Sequence, residues 1–176
     1  MLAANQYTFR HNQVGKYLHW WILKDLGVTV AESWLNHVPV DITKHKGTVI
    51  MWDKTILTDK KVNCNRPDIT IHDTIKRECL LIDVSVPVCA NVIRKEAEKI
   101  TKYRDLEIEI QKCWNLRKIR TVPIVVGALG TVSEGILRYI NLLSPNIEFN
   151  TVQKTALLGT AHILRNFLTP LKNLAP

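Results

Sequence analysis

The sequence predicts an α/β (α+β) domain built on a mixed sheet of about four to five strands flanked by helices. Three observations predict it. Short β-branched and apolar runs, TVIMW at 48–52 and CLLIDVSV at 79–86, stand among longer stretches with helical periodicity. The elements follow the order helix, strands, hairpin, long helix, strand, helix, helix, which suits helices packed on a sheet. The chain has 176 residues, 46% of them hydrophobic, enough to bury one such core. No linker-like, repeated or low-complexity stretch divides it, so one domain is expected over 1–176, with its core at about 8–168.

Tyr7 to Leu26 reads as an amphipathic helix with Val14, Tyr17, Leu18, Trp21 and Ile22 on one face, and Gly27 is a natural cap after it. Val28 to Lys46 is a mixed stretch of loops. Thr48 to Trp52 reads as a strand and Ile56-Leu57-Thr58 as another short one. Pro67-Asp68 leads into the β-branched run Ile69 to Ile71, and the polar patch Asp73 to Glu78 suits a hairpin turn. Cys79 to Val86 is apolar on nearly every residue and is expected at the centre of the sheet. Asn91 to Trp114 reads as one long helix. Val92, Ala97, Ile100, Tyr103, Leu106, Ile110 and Trp114 form its apolar stripe, with Lys95, Lys99 and Lys102 along one edge. Ile119 to Val126 is a further strand, placed by Pro123 at an edge or a bulge. Helices are expected at about Thr131 to Leu143 and Val152 to Phe167, followed by a frayed tail from Thr169 to Pro176.

The chemistry concentrates between Asn65 and Lys102. A carboxylate inside a strand as apolar as LLIDVSV must be neutralised, paired or bound to metal. Asp68 begins one strand, and Asp83, 15 positions on, lies on its expected hairpin partner. Cross-strand side chains sit roughly 5 Å apart, close enough to share an ion. Mg²⁺ is typically held by one or two carboxylates with water and phosphate. Two such aspartates beside a lysine-edged helix can hold a divalent metal against a phosphodiester. The alternative is that Asp68 caps a turn and Asp83 pairs with a core lysine or arginine. The formal charge of +8 favours a polyanionic partner. The four cysteines show no C-x-x-C spacing. No apolar run approaches a membrane span and no signal-peptide core follows Met1, so an intracellular chain without a membrane partner is expected.

Pro67-Asp68 followed by Asp83-Val84-Ser85 resembles the PD…(D/E)xK signature of the restriction-like endonucleases. Taken with Arg10-His11-Asn12 and Arg66, it resembles more narrowly the endonuclease domain that ends early-branching, site-specific non-LTR retrotransposon polyproteins. Ile82-Asp83-Val84, KITKYRDL at 99–106, VVGALG at 125–130 and KTALLGTA at 154–161 extend the similarity over roughly residues 8 to 168. The chain departs from the pattern at Ser85, where the triplet carries lysine, and at Val88-Cys89-Ala90, where relatives carry an acidic residue after the proline.

The resemblance implies a restriction-endonuclease-like fold and metal-dependent nicking of target DNA, so that a reverse transcriptase can prime from the cut. Asp68 and Asp83 would bind Mg²⁺ or Mn²⁺. Lys99, or Lys95 one turn earlier, would replace the missing triplet lysine. Arg10, His11, Asn12, Lys60, Lys61 and Arg66 would contact nucleic acid, and Asp59 stands as a third acidic residue at the cleft edge. The implied partners are target DNA, element RNA and the reverse transcriptase domain, and the implied location is the nucleus. The rival expectation is the same fold with its chemistry lost, acting as a nucleic-acid-binding module.

Overall fold

Five strands join in one sheet in the order β1-β2-β3-β4-β5: β1 Ile42–His45, β2 Thr48–Trp52, β3 Ile69–Asp73, β4 Glu78–Ser85 and β5 Lys118–Val125. They are drawn from a computed structural model that describes residues 2–172, with side chains described over 5–168. The first four strands are antiparallel neighbours, and β5 lies parallel to β4. The sheet is therefore mixed, five-stranded and flanked by helices, as expected.

Local chemistry explains the meander. Lys46 and Gly47, both at positive φ, make a two-residue turn between β1 and β2 whose twist matches paired strands. Between β3 and β4, the Asp73 carboxylate accepts from the Ile75 and Lys76 backbone N–H groups, and Arg77 takes a positive φ. A parallel pair needs a crossover connection. Helices α2, Val92–Lys102, and α3, Arg104–Cys113, supply it between β4 and β5.

The layers follow from strand alternation. Ile50, Ile69, Ile82, Val84, Val122 and Ile124 point to one face. They pack there with α1 (Leu2–Asp25), α4 (Ile136–Leu143) and α5 (Phe149–Lys172). Cys79 and Leu81 point to the other face and join Ile56, Tyr103, Leu106, Ile110 and Leu116 under α2 and α3. Asp83 shares its parity with Cys79 and Leu81, so its carboxylate also projects toward the crossover helices.

Several boundaries differ from the sequence reading. The helix expected over Asn91 to Trp114 is two helices, broken at Tyr103, whose buried ring and hydroxyl are drawn into the sheet side. Residues 56–58 are not a strand. Ile56 makes one backbone bond to Asn65, and Thr58 turns locally onto the Lys60 carbonyl. Part of the expected loop 28–46 is instead strand β1. The helix expected from about Thr131 begins at Ile136. The last helix begins at Phe149 and continues through Thr169 to Lys172, while 173–176 lie outside the described residues. Pro123 sits on β5, the outermost strand. None of the described helices is long and apolar enough to cross a membrane.

Candidate active site

The register of β3 on β4 brings the two sequence-predicted carboxylates to one end of the sheet. Ile69 pairs with Ile82, and one step further along the hairpin sets Asp68 opposite Asp83. Beside them opens a cleft of about 820 Å³, lined among others by His11, Trp52, Asp68, Val84, Ser85 and Lys99.

Asp68 precedes β3, after the buried Pro67. Its Oδ2 accepts from the Val84 backbone N–H at 2.6 Å and lies 3.1 Å from His11 Nε2. That same nitrogen is 3.2 Å from the Val84 carbonyl oxygen, and His11 Nδ1 is 3.0 Å from Asn12 Oδ1. Burial alone would depress the His11 pKa. The hydrogen bond and charge of Asp68 override it and carry the group up to about 9. His11 reaches Asp68 because it lies on α1 one turn before the buried Val14, on the stripe that faces the sheet.

Asp83 is 1% exposed. Its Oδ1 accepts from Lys102 Nζ at 2.8 Å and from the Tyr103 hydroxyl at 2.5 Å, while Lys99 Nζ pairs with Oδ2. Burial raises the pKa of such a carboxyl, but Lys102 and Lys99 outweigh it and hold Asp83 below its ordinary value. Tyr103 is pushed the other way, by burial first and then by the Asp83 charge, and keeps its proton. The tyrosine oxygen also lies 3.1 Å from the Arg66 carbonyl, tying the approach to Asp68 to the same cluster. The lysine pairing foreseen as the alternative for Asp83 is thus present, and it comes from the helix edge singled out for catalysis.

The other site residues are distributed as follows. Lys95 turns away from Asp83 and pairs with Glu98 at 2.8 Å, so of the two lysines considered, Lys99 is the one at the carboxylates. Arg10, expected on a phosphate, is buried. Its guanidinium donates to Thr160 Oγ1 on α5 and to the Val86 carbonyl, both at 2.8 Å. The aliphatic stem packs on Gly159, where a Cβ would lie 2.5 Å from Arg10 Cγ. This reassigns Arg10 from backbone contact to clamping α1, β4 and α5 together. Asn12 is exposed, and Arg66 forms a two-pronged pair with Asp53, itself on the cleft wall. Lys60 lies on the surface 4.0 Å from Glu109, and Lys61 is also exposed; neither lines the cleft. Asp59 meets Cys113 Sγ at 3.6 Å, away from the cleft edge proposed for it. The sequence reading placed Lys102 and Tyr103 beside the stripe without giving them a role. The signal was their position one turn after Lys99, on the edge that faces the buried aspartate.

The donor set suits a hard cation. Among the described residues no three or more His, Cys, Asp and Glu side chains converge as a metal cluster. An ion here would rest on the Asp68 and Asp83 carboxylates and the Val84 carbonyl, leaving positions for water and a phosphate oxygen, the pattern Mg²⁺ accepts. Lys99 and Lys102 neutralise Asp83, so a cation must compete with at least one of them. No family model matches the chain, and no curated protein does.

Proposed function

We propose that this chain is a divalent-metal-dependent DNA endonuclease domain of restriction-like type. Its role would be that of the domain ending early-branching non-LTR retrotransposon polyproteins: nicking target DNA to prime reverse transcription. One observation carries the reading. A carboxylate buried within a central strand, Asp83, is held by the lysines of the following helix directly across the hairpin from a second carboxylate, Asp68, at the floor of an open cleft. Structural ion pairs do not need a cleft, and Lys99 belongs to both the pair and the cleft wall.

Each residue then has a task. Asp68 and Asp83 hold the ion, Mg²⁺ or Mn²⁺, which when bound polarises the phosphate and lowers the pKa of coordinated water. Tyr103 donates to Asp83 Oδ1 and fixes the carboxylate's rotation. Lys99, released from Asp83 as the cation takes over its charge, is placed to stabilise the charge growing on the phosphate oxygens. Lys102 stays against Oδ1 and limits how far the carboxylate can swing. Exposed Arg66, Lys60 and Lys61 supply backbone contacts that position a duplex without reading its sequence.

The pairing of both Asp83 oxygens with lysines favours a second reading, a nucleic-acid-binding module in which these charges are structural. Plasmid nicking with Mg²⁺ or Mn²⁺ separates the two. The nuclease reading expects single-strand nicks by the wild type, lost in Asp83→Ala and Asp68→Ala with DNA affinity retained. A wild type that binds DNA with steep salt dependence yet never nicks, with either ion, overturns the nuclease reading and leaves the binding module.

A further inference from the structure

We infer that His11 is a third protein ligand of the ion, making the site a mixed nitrogen–oxygen one that prefers Mn²⁺ over Mg²⁺; this rests on the metal-site reading above. His11 Nε2 lies 3.1 Å from Asp68 Oδ2 and 3.2 Å from the Val84 carbonyl oxygen, so one nitrogen faces both oxygens at once. Donors bound at about 2.1 Å in cis positions of an octahedron sit about 3 Å from one another. The three atoms therefore already have the spacing of neighbouring ligands, and an ion centred among them replaces the proton that Nε2 shares with the oxygens.

The surroundings hold this arrangement in place. His11 is fixed along α1 by Arg10, whose guanidinium is clamped to Thr160 and Val86, and by the buried Val14 one turn on. Its other nitrogen is engaged by Asn12 Oδ1 at 3.0 Å, the partner that orients a ligating imidazole. Asp68 is fixed by the Val84 N–H, so ligand and carbonyl come from adjoining atoms of one strand. Imidazole nitrogen suits transition metals, whereas Mg²⁺ is served by oxygen. Such a ligand therefore separates two ions that two carboxylates alone would scarcely distinguish. The arginine, histidine and asparagine at 10–12 thus have connected uses: the arginine anchors the helix, the histidine binds, and the asparagine orients it.

The test uses the full chain with Mn²⁺ alone, read by pulsed electron spin-echo modulation and by calorimetric titration of Mn²⁺ and of Mg²⁺. The expected result is nitrogen modulation from a coordinated imidazole in the wild type, absent in His11→Ala and in His11→Gln. Mn²⁺ affinity should drop about tenfold or more in both variants, with Mg²⁺ affinity changing less than about threefold. His11→Gln keeps a donor toward Asp68, so a residue that merely positions the carboxylate would leave Mn²⁺ affinity intact in that variant. Mn²⁺ binding that depends on Asp68 but shows no nitrogen modulation, or is unchanged in His11→Gln, overturns the ligand assignment and leaves the metal site standing. Wild-type chain that takes up no Mn²⁺ saturably, or takes it up equally well as Asp68→Asn, overturns both.

Discussion

Replacing Lys99 by alanine removes the only charged neighbour of Asp83 Oδ2 among the described residues, whereas Oδ1 keeps Lys102 and Tyr103. A buried acceptor left unsatisfied costs about 1–3 kcal/mol. Losing one partner of a buried pair costs about 3–5 kcal/mol when both are fully desolvated. Lys99 retains 16% exposure, so the lower range applies, and the expected loss is about 2–3 kcal/mol. Lys102→Ala should cost about 1 kcal/mol, because the tyrosine hydroxyl remains on the same oxygen. Lys95→Ala breaks only a surface pair with Glu98 and should cost under about 0.5 kcal/mol. Urea unfolding followed by far-ultraviolet circular dichroism gives the three values. Repeating Lys99→Ala in an Asp83→Asn background isolates the pair, with an expected coupling of about 1.5–2 kcal/mol. Lys99→Ala costing no more than Lys95→Ala, or the same cost with and without the Asp83 carboxylate, would refute the reasoning. On plasmid, Lys99→Ala should lose about 10²–10³ in nicking rate, the scale of a removed transition-state donor, with DNA affinity nearly unchanged.

Three further outcomes are expected. His19, fully buried with Nδ1 2.8 Å from His37 Nε2, is held down to about 4, by burial first and then by its neighbour. The unfolded chain therefore binds the extra proton between pH 6.5 and 4, and stability, complete above pH 6.5, falls through that window by up to about 3 kcal/mol. Urea midpoints from pH 7 to 4 should show this slope, and His19→Asn should flatten it. Gly159→Ala should destabilise by about 1–2 kcal/mol despite better helix propensity, because its Cβ would displace Arg10; a thermal midpoint at or above wild type would contradict the clamp. Affinity for duplex DNA should fall at least tenfold between 50 and 200 mM salt if several phosphates are contacted, and a flat response would remove nucleic acid as the partner.

What the sequence disclosed was whatever local periodicity or burial cost enforces. TVIMW at 48–52 must be a strand whatever surrounds it, and the strand carrying Asp83 was visible to within a residue at each end. A charge inside that run could not be innocuous, so the site was legible from Asp83 outward. The break at Tyr103 was not. ITKYRDL contains no glycine or proline, and the helix stops because the tyrosine ring and hydroxyl are drawn to the sheet, a long-range cause. Strand β1 was hidden because its turn uses Lys46 where Asn or Asp would have signalled positive φ. Arg10 misled for a related reason. Surface arginine is the ordinary expectation in a basic chain, and only the packing of α1 on Gly159 shows that this one is internal.

Pro123 bears on how the molecule stays apart from its copies. Val126 N donates to Ser85 O across the β4–β5 pair. Alternation carried back along the strand turns the backbone groups at residue 123 outward, away from β4. At that place an incoming strand would find a ring carbon where it needs an N–H. The only long strand with a free side therefore cannot offer an unbroken row of donors and acceptors, and stacking of sheets end to end through β5 is interrupted at its middle. A chain that exposes apolar side chains on several helices is thereby kept from polymerising through its backbone, so any association between copies has to use side-chain surfaces instead.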